Sequence, residues 1–356
     1  MKFSKSDFNF MEVFSSCIDT KREMNDKFQI KVKSDGTVIF TQDCDDVKMF
    51  RSFKSSVTGE DFVAVFQTAK FYSLIKSIKE GTDITVSSSG IEFNGNKYDL
   101  QNFSNVHYDD SEKLIEKYSE SSNSDFLIKD LSKLASVKSY MGASPLDCIG
   151  VQNKSYFVSS NQIDVTSMVK TDNSLVDDMY LGYKAINMFS NFKVNEIILS
   201  PKEGAFSFNL KDTLVVVFNK DYSLPNLFEN SIRCLYEHTT KAVIQKDLLK
   251  EVLYRIRIVS SENKDNRIFL NFEEDGLKIE SKDTIYASEK VVGSVDKDLV
   301  GHYLSVSSNY LSNIVSELSG KEVHLYASND KEAVVITIED ENKDKKYLQN
   351  ILAYVD

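Results

Sequence analysis

The feature that most constrains this chain is a phrase that occurs three times. "KFYSLIKSIKEGTDITV" (70–86) sets Phe71, Leu74, Ile75 and Ile78 at helical spacing and runs straight into a strand-like "DITV". "KAINMFSNFKVNEIIL" repeats the arrangement with Ala185, Met188, Phe189 and Phe192, and "YLSNIVSELSGKEVHLY" with Leu311, Ile314, Val315 and Leu318. Apolar residues at i, i+3, i+4 and i+7 predict an amphipathic helix, and the alternation that follows predicts a half-buried strand. A second phrase interleaves with the first as "MKFSKSDFNFMEVF", "DFLIKDLSKLASV" and "KAVIQKDLLKEVL": an extended segment, an aspartate, then an apolar-periodic helix. Asp7, Asp130 and Asp247 stand where a helix N-cap belongs, because a carboxylate there accepts from the open amides of the first turn. Repetition on this scale is the first thing a fold must satisfy.

Strand signals complete each repeat. "KFQIKVKSDGTVIFTQD" reads as a hairpin about the turn "SDG", and "SYFVSSNQIDVTSMV" and "NRIFLNFEEDGLKIES" hold the equivalent place. Two more strands follow each second helix: "DITVSSSGIEFNG", "EIILSPKEGAFSFNL" and "EVHLYASNDKEAVVITIED". The class is therefore α+β, in three tandem similar domains, each with two helices and about eight strands. The boundaries are 1–122, 123–236 and 237–356, with polar "DDSEKLIEKYSESSNSD" (109–125) and proline-bearing "KDYSLPNLFENSIRC" (220–234) read as linkers. Such an array either stays open or forms part of a closed ring.

Bulk properties exclude several classes. No apolar run reaches membrane-spanning length and the N-terminus lacks an apolar leader core, so a cytoplasmic protein is expected. Four cysteines with no Cys-x-x-Cys pair, and only four histidines, argue against a metal site. No phosphate-binding glycine loop, dinucleotide fingerprint or His-Glu-x-x-His is present, and no cofactor is expected. "SLIK" and "SNFK" match Ser-x-x-Lys, but both serines lie inside the repeated helix, so no enzyme is expected. "QDCDD" (42–46) reads as a solvated acidic turn.

The third repeat resembles the C-terminal domain of the bacterial sliding clamp, the β subunit of DNA polymerase III. The likeness is carried by "KDLLKEVLYRIRIVSSENKDNRIFLNFEEDGLKIES", by "LSVSSNYLSNIVSELSGKEVHLYASNDKEAVVI" and by "SLPNLFENSI", which is similar to the family's entry to its last domain. The order and period of many weak matches extend over the whole chain. Two stretches depart from the family: "SSNQIDV" (159–165) replaces its second-domain motif, and "NILAY" (350–354) its C-terminal motif. The resemblance implies a DNA clamp fold in which two protomers close head to tail around duplex DNA, without regard to base sequence. It also implies a peptide pocket for a DNA polymerase and a clamp loader, lined by Ser160, Val165, Ile232, Ile351 and Leu352. It implies a ring interface between Tyr98 and Leu100 on one side and Ile258 and Val259 on the other. The divergence, with an Asn/Lys/Ser-rich composition, suits a phage or viral member.

A net charge of −11 argues against nucleic acid only if charge is spread evenly. Turning 100° per residue, Lys246, Lys250 and Arg257 fall opposite Leu248, Leu249, Val252, Leu253 and Ile256. Lys129 and Lys133 oppose Leu131, Leu134 and Ala135. Lys76 and Lys79 oppose Phe71, Leu74 and Ile78, and Lys184 and Lys193 flank their helix. Lys21 and Arg22 follow the first helix, where the family touches DNA. Helix-borne lysines facing an inner hole, with acids outside, give salt-dependent and sequence-independent binding. The alternative is a non-enzymatic viral assembly or interaction protein built from repeated α+β modules.

Overall fold

In each repeat the expected hairpins form as antiparallel pairs. The structure is a computed structural model describing residues 1–18, 26–55, 59–104, 106, 108, 110–120, 125–142, 147–152, 156–161, 165–170, 180–202, 204–218, 241–260, 266–282, 286–327, 335–340 and 345–350. It falls into two units: residues 1–132 with 181–221, and residues 133–180 with 222–356.

In the first unit, β2 (Lys27–Val32) and β3 (Thr37–Cys44) set Val32 opposite Val38. β4 (Val47–Lys54) pairs with β3, and β5 (Phe62–Gln67) takes the free side of β2. β5 runs directly into α2 (Thr68–Ser77), which buries Phe71 and Ile75. β1 (Lys2–Ser4), β6 (Asp83–Ser87), β7 (Gly90–Phe93) and β8 (Asn96–Asp99) make a separate sheet in the order β1-β6-β7-β8. The same order returns in β9 (Phe126–Ile128), β14 (Ile197–Lys202), β15 (Ala205–Leu210) and β16 (Thr213–Phe218). β16 also pairs with β4, Leu214 opposite Phe50 and Val217 opposite Val47, so two repeats are joined by one ladder. α5 (Tyr183–Asn191) follows β13 (Tyr180–Gly182) and buries Ala185, Ile186, Met188 and Phe189.

The core of the first repeat is aromatic. Phe10, capping α1 (Met11–Ser16), and Phe14 within it meet rings from the sheet, with Phe10 4.6 Å from Phe40, and Phe28 of the sheet lies 4.9 Å from Phe71 of α2. Each of these five rings is at most 1% exposed.

The second unit repeats the plan. β17 (Lys241–Gln245), β22 (Glu322–Ala327), β23 (Val335–Asp340) and β24 (Lys345–Asn350) pair in that order. β24 then pairs with β12 (Val165–Lys170), which pairs with β11 (Tyr156–Ser160) and that with β10 (Cys148–Gln152). β18 (Arg267–Glu273), β19 (Gly276–Lys282), β20 (Tyr286–Val295) and β21 (Tyr303–Ser307) stand in the order β21-β18-β19-β20. α6 (Lys246–Ser260) and α7 (Ser308–Glu317) bury their apolar stripes in one core with Ile268, Leu270, Phe272, Leu277 and Ile279. α4 (Leu134–Lys138) buries Leu134 and Val137. β20 leaves β19 for β17 at Gly293, where any Cβ would lie 2.6 Å from the Val243 carbonyl oxygen; only glycine allows the two strands that close. Among the described residues each repeat thus contains eight strands, β1–β8, β9–β16 and β17–β24.

Three local expectations need correction. The aspartates are not N-caps. Asp7 lies inside a 3-10 turn and its carboxylate accepts from the Ser4 amide at 2.8 Å, so Ser4 holds the cap position. Asp130 has φ +59°, and Asp247 lies within the first turn of α6, where its charge still favours the positive helix end. Leu248 is 45% exposed rather than on the apolar stripe, because α6 packs through Leu249, Val252, Leu253 and Ile256 alone. The stretch taken as a polar linker contains α3 (Ser111–Ser119). Its Leu114, Ile115 and Tyr118 pack on Phe50, Leu214 and Val216 over the β4–β16 ladder, and Glu112 accepts from Lys31 and Lys33 at 2.6 Å each.

Candidate nucleic-acid interface and open strand edges

The lysines expected to face DNA divide by what they touch. In the first unit Lys76, in the last turn of α2, lies 4.5 Å from the ring centre of Tyr72, and Lys79 is exposed just past the helix end. Lys5, Lys76 and Lys211 surround a cavity of about 450 Å³ with Tyr72, Phe8 and Glu12. Lys5 and Lys211 were not legible in the sequence, since nothing there links the 3-10 turn to the β15–β16 turn. They pair with Glu80 at 3.2 Å and Glu12 at 2.5 Å. Lys184 is engaged: its ammonium donates to the Cys44 carbonyl at 2.7 Å and to Asp45 at 3.1 Å, and its side chain is 17% exposed. Lys129 and Lys193 are exposed but not helical. Lys129 follows β9, and Lys193 has φ +51°, ending the helix while Val194 donates to the Phe189 carbonyl.

In the second unit Lys250 and Arg257 are exposed on α6. Lys246 is half-buried and donates to the Leu318 carbonyl at 3.1 Å, neutralising the negative end of α7. Lys133 closes a 3-10 turn, half-buried. Lys21 and Arg22 lie outside the described residues. Of the expected pocket, Ser160 is buried at the end of β11, where its carbonyl accepts from the Gly142 amide at 3.0 Å. Val165 opens β12 opposite Gln349, and Ile232, Ile351 and Leu352 lie outside the described residues.

The strand edges carry more information. β8 corresponds to β16 and β24, because all three end the same four-strand order. The turns before β8 and β16 agree as well: Asn94 and Gly95 have φ +50° and +74°, Lys211 and Asp212 +44° and +59°, as a two-residue hairpin turn requires. β16 pairs with β4 and β24 pairs with β12, but β8 has no strand on its outer side among the described residues. Correspondingly β4 and β12 are taken, whereas among the described residues the matching stretch of β20, Tyr286–Val292, pairs only with β19. Both edges carry apolar side chains in water: Tyr98 is 37% exposed, Tyr286 62% and Val292 68%. Tyr98 stacks on Phe93 at 4.8 Å. Beside β20, Arg255 of α6 forms a two-oxygen pair with Glu289, and one turn on Ile258 is 60% exposed. The guanidinium's hydrogen bonds hold the Glu289 carboxyl below its ordinary value, against the effect of burial.

Residues 236–352 match the family model of the DNA polymerase III beta subunit, C-terminal domain. The DNA polymerase sliding clamp of Pseudomonas aeruginosa is similar over 99% of both chains, with a TM-score of 0.74 at 14% identity. The clamp of Bacillus subtilis gives 0.75 at 14% identity over 99% of both. A DNA polymerase III beta subunit from Eubacterium rectale gives 0.76 at 13%, over 99% of this chain and 98% of that one. The chain has the fold of a bacterial DNA sliding clamp. No curated protein matches it.

Proposed function

We propose that this protein is a processivity clamp: two copies close head to tail around duplex DNA and tether a DNA polymerase to its template. The observation that carries this reading is the pair of complementary open edges. Within the chain, each repeat donates its last strand to the fourth strand of the repeat before it. Among the described residues β8 and the outer side of β20 lack that partner; a second copy satisfies both, and then the same again closes the assembly by symmetry. Matching β20 to β4 strand by strand sets Tyr98 opposite Ala287 and Asp99 opposite Tyr286 of the other copy. Tyr98 then lies on the α6 side of the joint sheet. This supports the contact of Tyr98 and Leu100 with Ile258 and Val259.

The domains are 1–122, 123–236 and 237–356. Lys76, Lys79, Lys129, Lys193, Lys250 and Arg257, with Lys21 and Arg22, meet phosphates, while Lys184 and Lys246 act mainly in holding the fold. Ser160, Val165, Ile232, Ile351 and Leu352 line the pocket for a short peptide of the polymerase and the loader. Such a tether needs no catalytic group. Among the described residues no helix is long and apolar enough to cross a membrane, and no group of metal-binding side chains occurs; the cytoplasm is where its DNA would be. The test is retention: loaded protein stays on circular DNA and runs off after linearisation. Equal loss from both forms refutes the topological link.

A further inference from the structure

Tyr254, on α6, is 69% exposed, more than any other large apolar side chain among the described residues, and no described group bonds its hydroxyl or stacks on its ring. Three tyrosines of the same repeat are engaged within the fold: Tyr286 donates to Glu280 at 2.8 Å, Tyr303 stacks on Phe269 at 5.3 Å, and the Tyr310 hydroxyl accepts from Asn161 at 3.1 Å. At 100° per residue Tyr254 lies about 40° from Lys250 and about 60° from Arg257 around the helix. All three are exposed, opposite the stripe of Leu249, Val252, Leu253 and Ile256 that enters the core. Helical residues three and four apart have Cβ atoms about 5–6 Å apart, so an anion held by Lys250 or Arg257 is within reach of the hydroxyl. The acidic neighbours are placed elsewhere. Glu251 is on the other flank of Tyr254, 3.8 Å from the Arg255 guanidinium, and Asp247 is in the first turn of the helix.

We propose that the Tyr254 hydroxyl donates a neutral hydrogen bond to a phosphate of the duplex that Lys250 and Arg257 draw to this face. The inference rests on the clamp reading above and adds a kind of contact that the cations do not make. A lysine or arginine on a phosphate displaces condensed counterions, so its contribution fades as salt rises, whereas a phenol displaces none. The hydroxyl therefore supplies a part of the affinity that salt does not remove. It does so without base preference, since every nucleotide carries the same phosphate. A stacking role for the ring suits the site less well, because the bases of a duplex already stack on one another and the flanking cations select the backbone.

The test is a titration of the full-length protein with a fluorescein-labelled duplex oligonucleotide, read by anisotropy at several salt concentrations. Tyr254→Phe keeps the ring and should weaken binding roughly three- to tenfold at every salt concentration, as the loss of one net hydrogen bond would, with the slope of log K against log salt unchanged. Lys250→Gln, measured in parallel, should lower that slope by about 0.9. The unfolding midpoint of Tyr254→Phe should match the wild type, since the atom removed is in water. Wild-type binding that Tyr254→Phe leaves unchanged overturns the proposal alone. So does an altered slope in that variant, or a shift of its mass in sedimentation, which would assign the hydroxyl to a contact between copies. Duplex binding that is absent from the wild type, or that Lys250→Gln leaves untouched in affinity and slope, refutes the DNA contact of this helix and the proposal with it.

Discussion

Replacing Ile258 by alanine tests the proposed closure of a ring most directly. Full burial of an isoleucine side chain is worth about 1.5–3 kcal/mol. At 60% exposure in the single chain, about 1–2 kcal/mol of that is still to be gained on association. Alanine forfeits most of it, about 1–1.5 kcal/mol per contact, and a two-copy ring makes the contact twice. The loss is then about 2–3 kcal/mol, which raises the dissociation constant roughly 30- to 150-fold. Sedimentation equilibrium over a dilution series reads that shift as a change from ring to single-chain mass. Thermal unfolding of the separated chain should move little, since a side chain so exposed contributes within about 0.5 kcal/mol to the fold. A mass distribution that matches the wild type within threefold would refute the placement of Ile258 in the joint.

Three other outcomes are expected. Gly90 has φ +150° and a Cβ there would sit 2.1 Å from the Tyr98 carbonyl oxygen, so Gly90→Ala should distort the β7–β8 hairpin. It should cost about 1–3 kcal/mol of stability and weaken association, checked by chemical denaturation and sedimentation. The Glu289 carboxyl is held below its ordinary value of 4.5, so the stabilisation from its pair with Arg255 is full above that pH and fades as pH falls through the lowered value. Glu289→Gln should therefore flatten the acid limb of the stability profile and leave the neutral-to-alkaline slope unchanged. Lys79→Glu and Lys250→Glu should each weaken binding to duplexes of any sequence and reduce the dependence of log K on log salt by about 0.9 per lost phosphate contact, measured by titration at several salt concentrations.

Helical spacing in "KFYSLIKSIK" and its two counterparts was enough to find α2, α5 and α7, because an apolar stripe has one place to go. Alternation found the hairpins for the same reason, and repetition of both gave the plan of eight strands per repeat. Position along a helix was less legible. Lys246 and Lys250 are both on the polar side of α6, yet one is tied to the Leu318 carbonyl and the other stands in water. Lys184 looked like a solvent lysine until the β3–β4 turn supplied Cys44 and Asp45 as its partners. α3 was hidden because its polar composition reads as a linker; only the sheet beneath gives Leu114, Ile115 and Tyr118 something to bury against.

Local periodicity, then, determined by itself the class of the fold, the number of repeats and most of the side chains that enter their cores, since those follow from short-range geometry and the removal of apolar surface from water. Which strand of one repeat meets which strand of the next was decided by the tertiary structure. So was the existence of two matching edges, β8 and the outer side of β20, with no strand paired to them among the described residues. Those depend on ladders between residues more than 150 positions apart, such as Val47 with Val217 and Val165 with Gln349, and backbone hydrogen bonds of that kind leave no mark on the order of side chains.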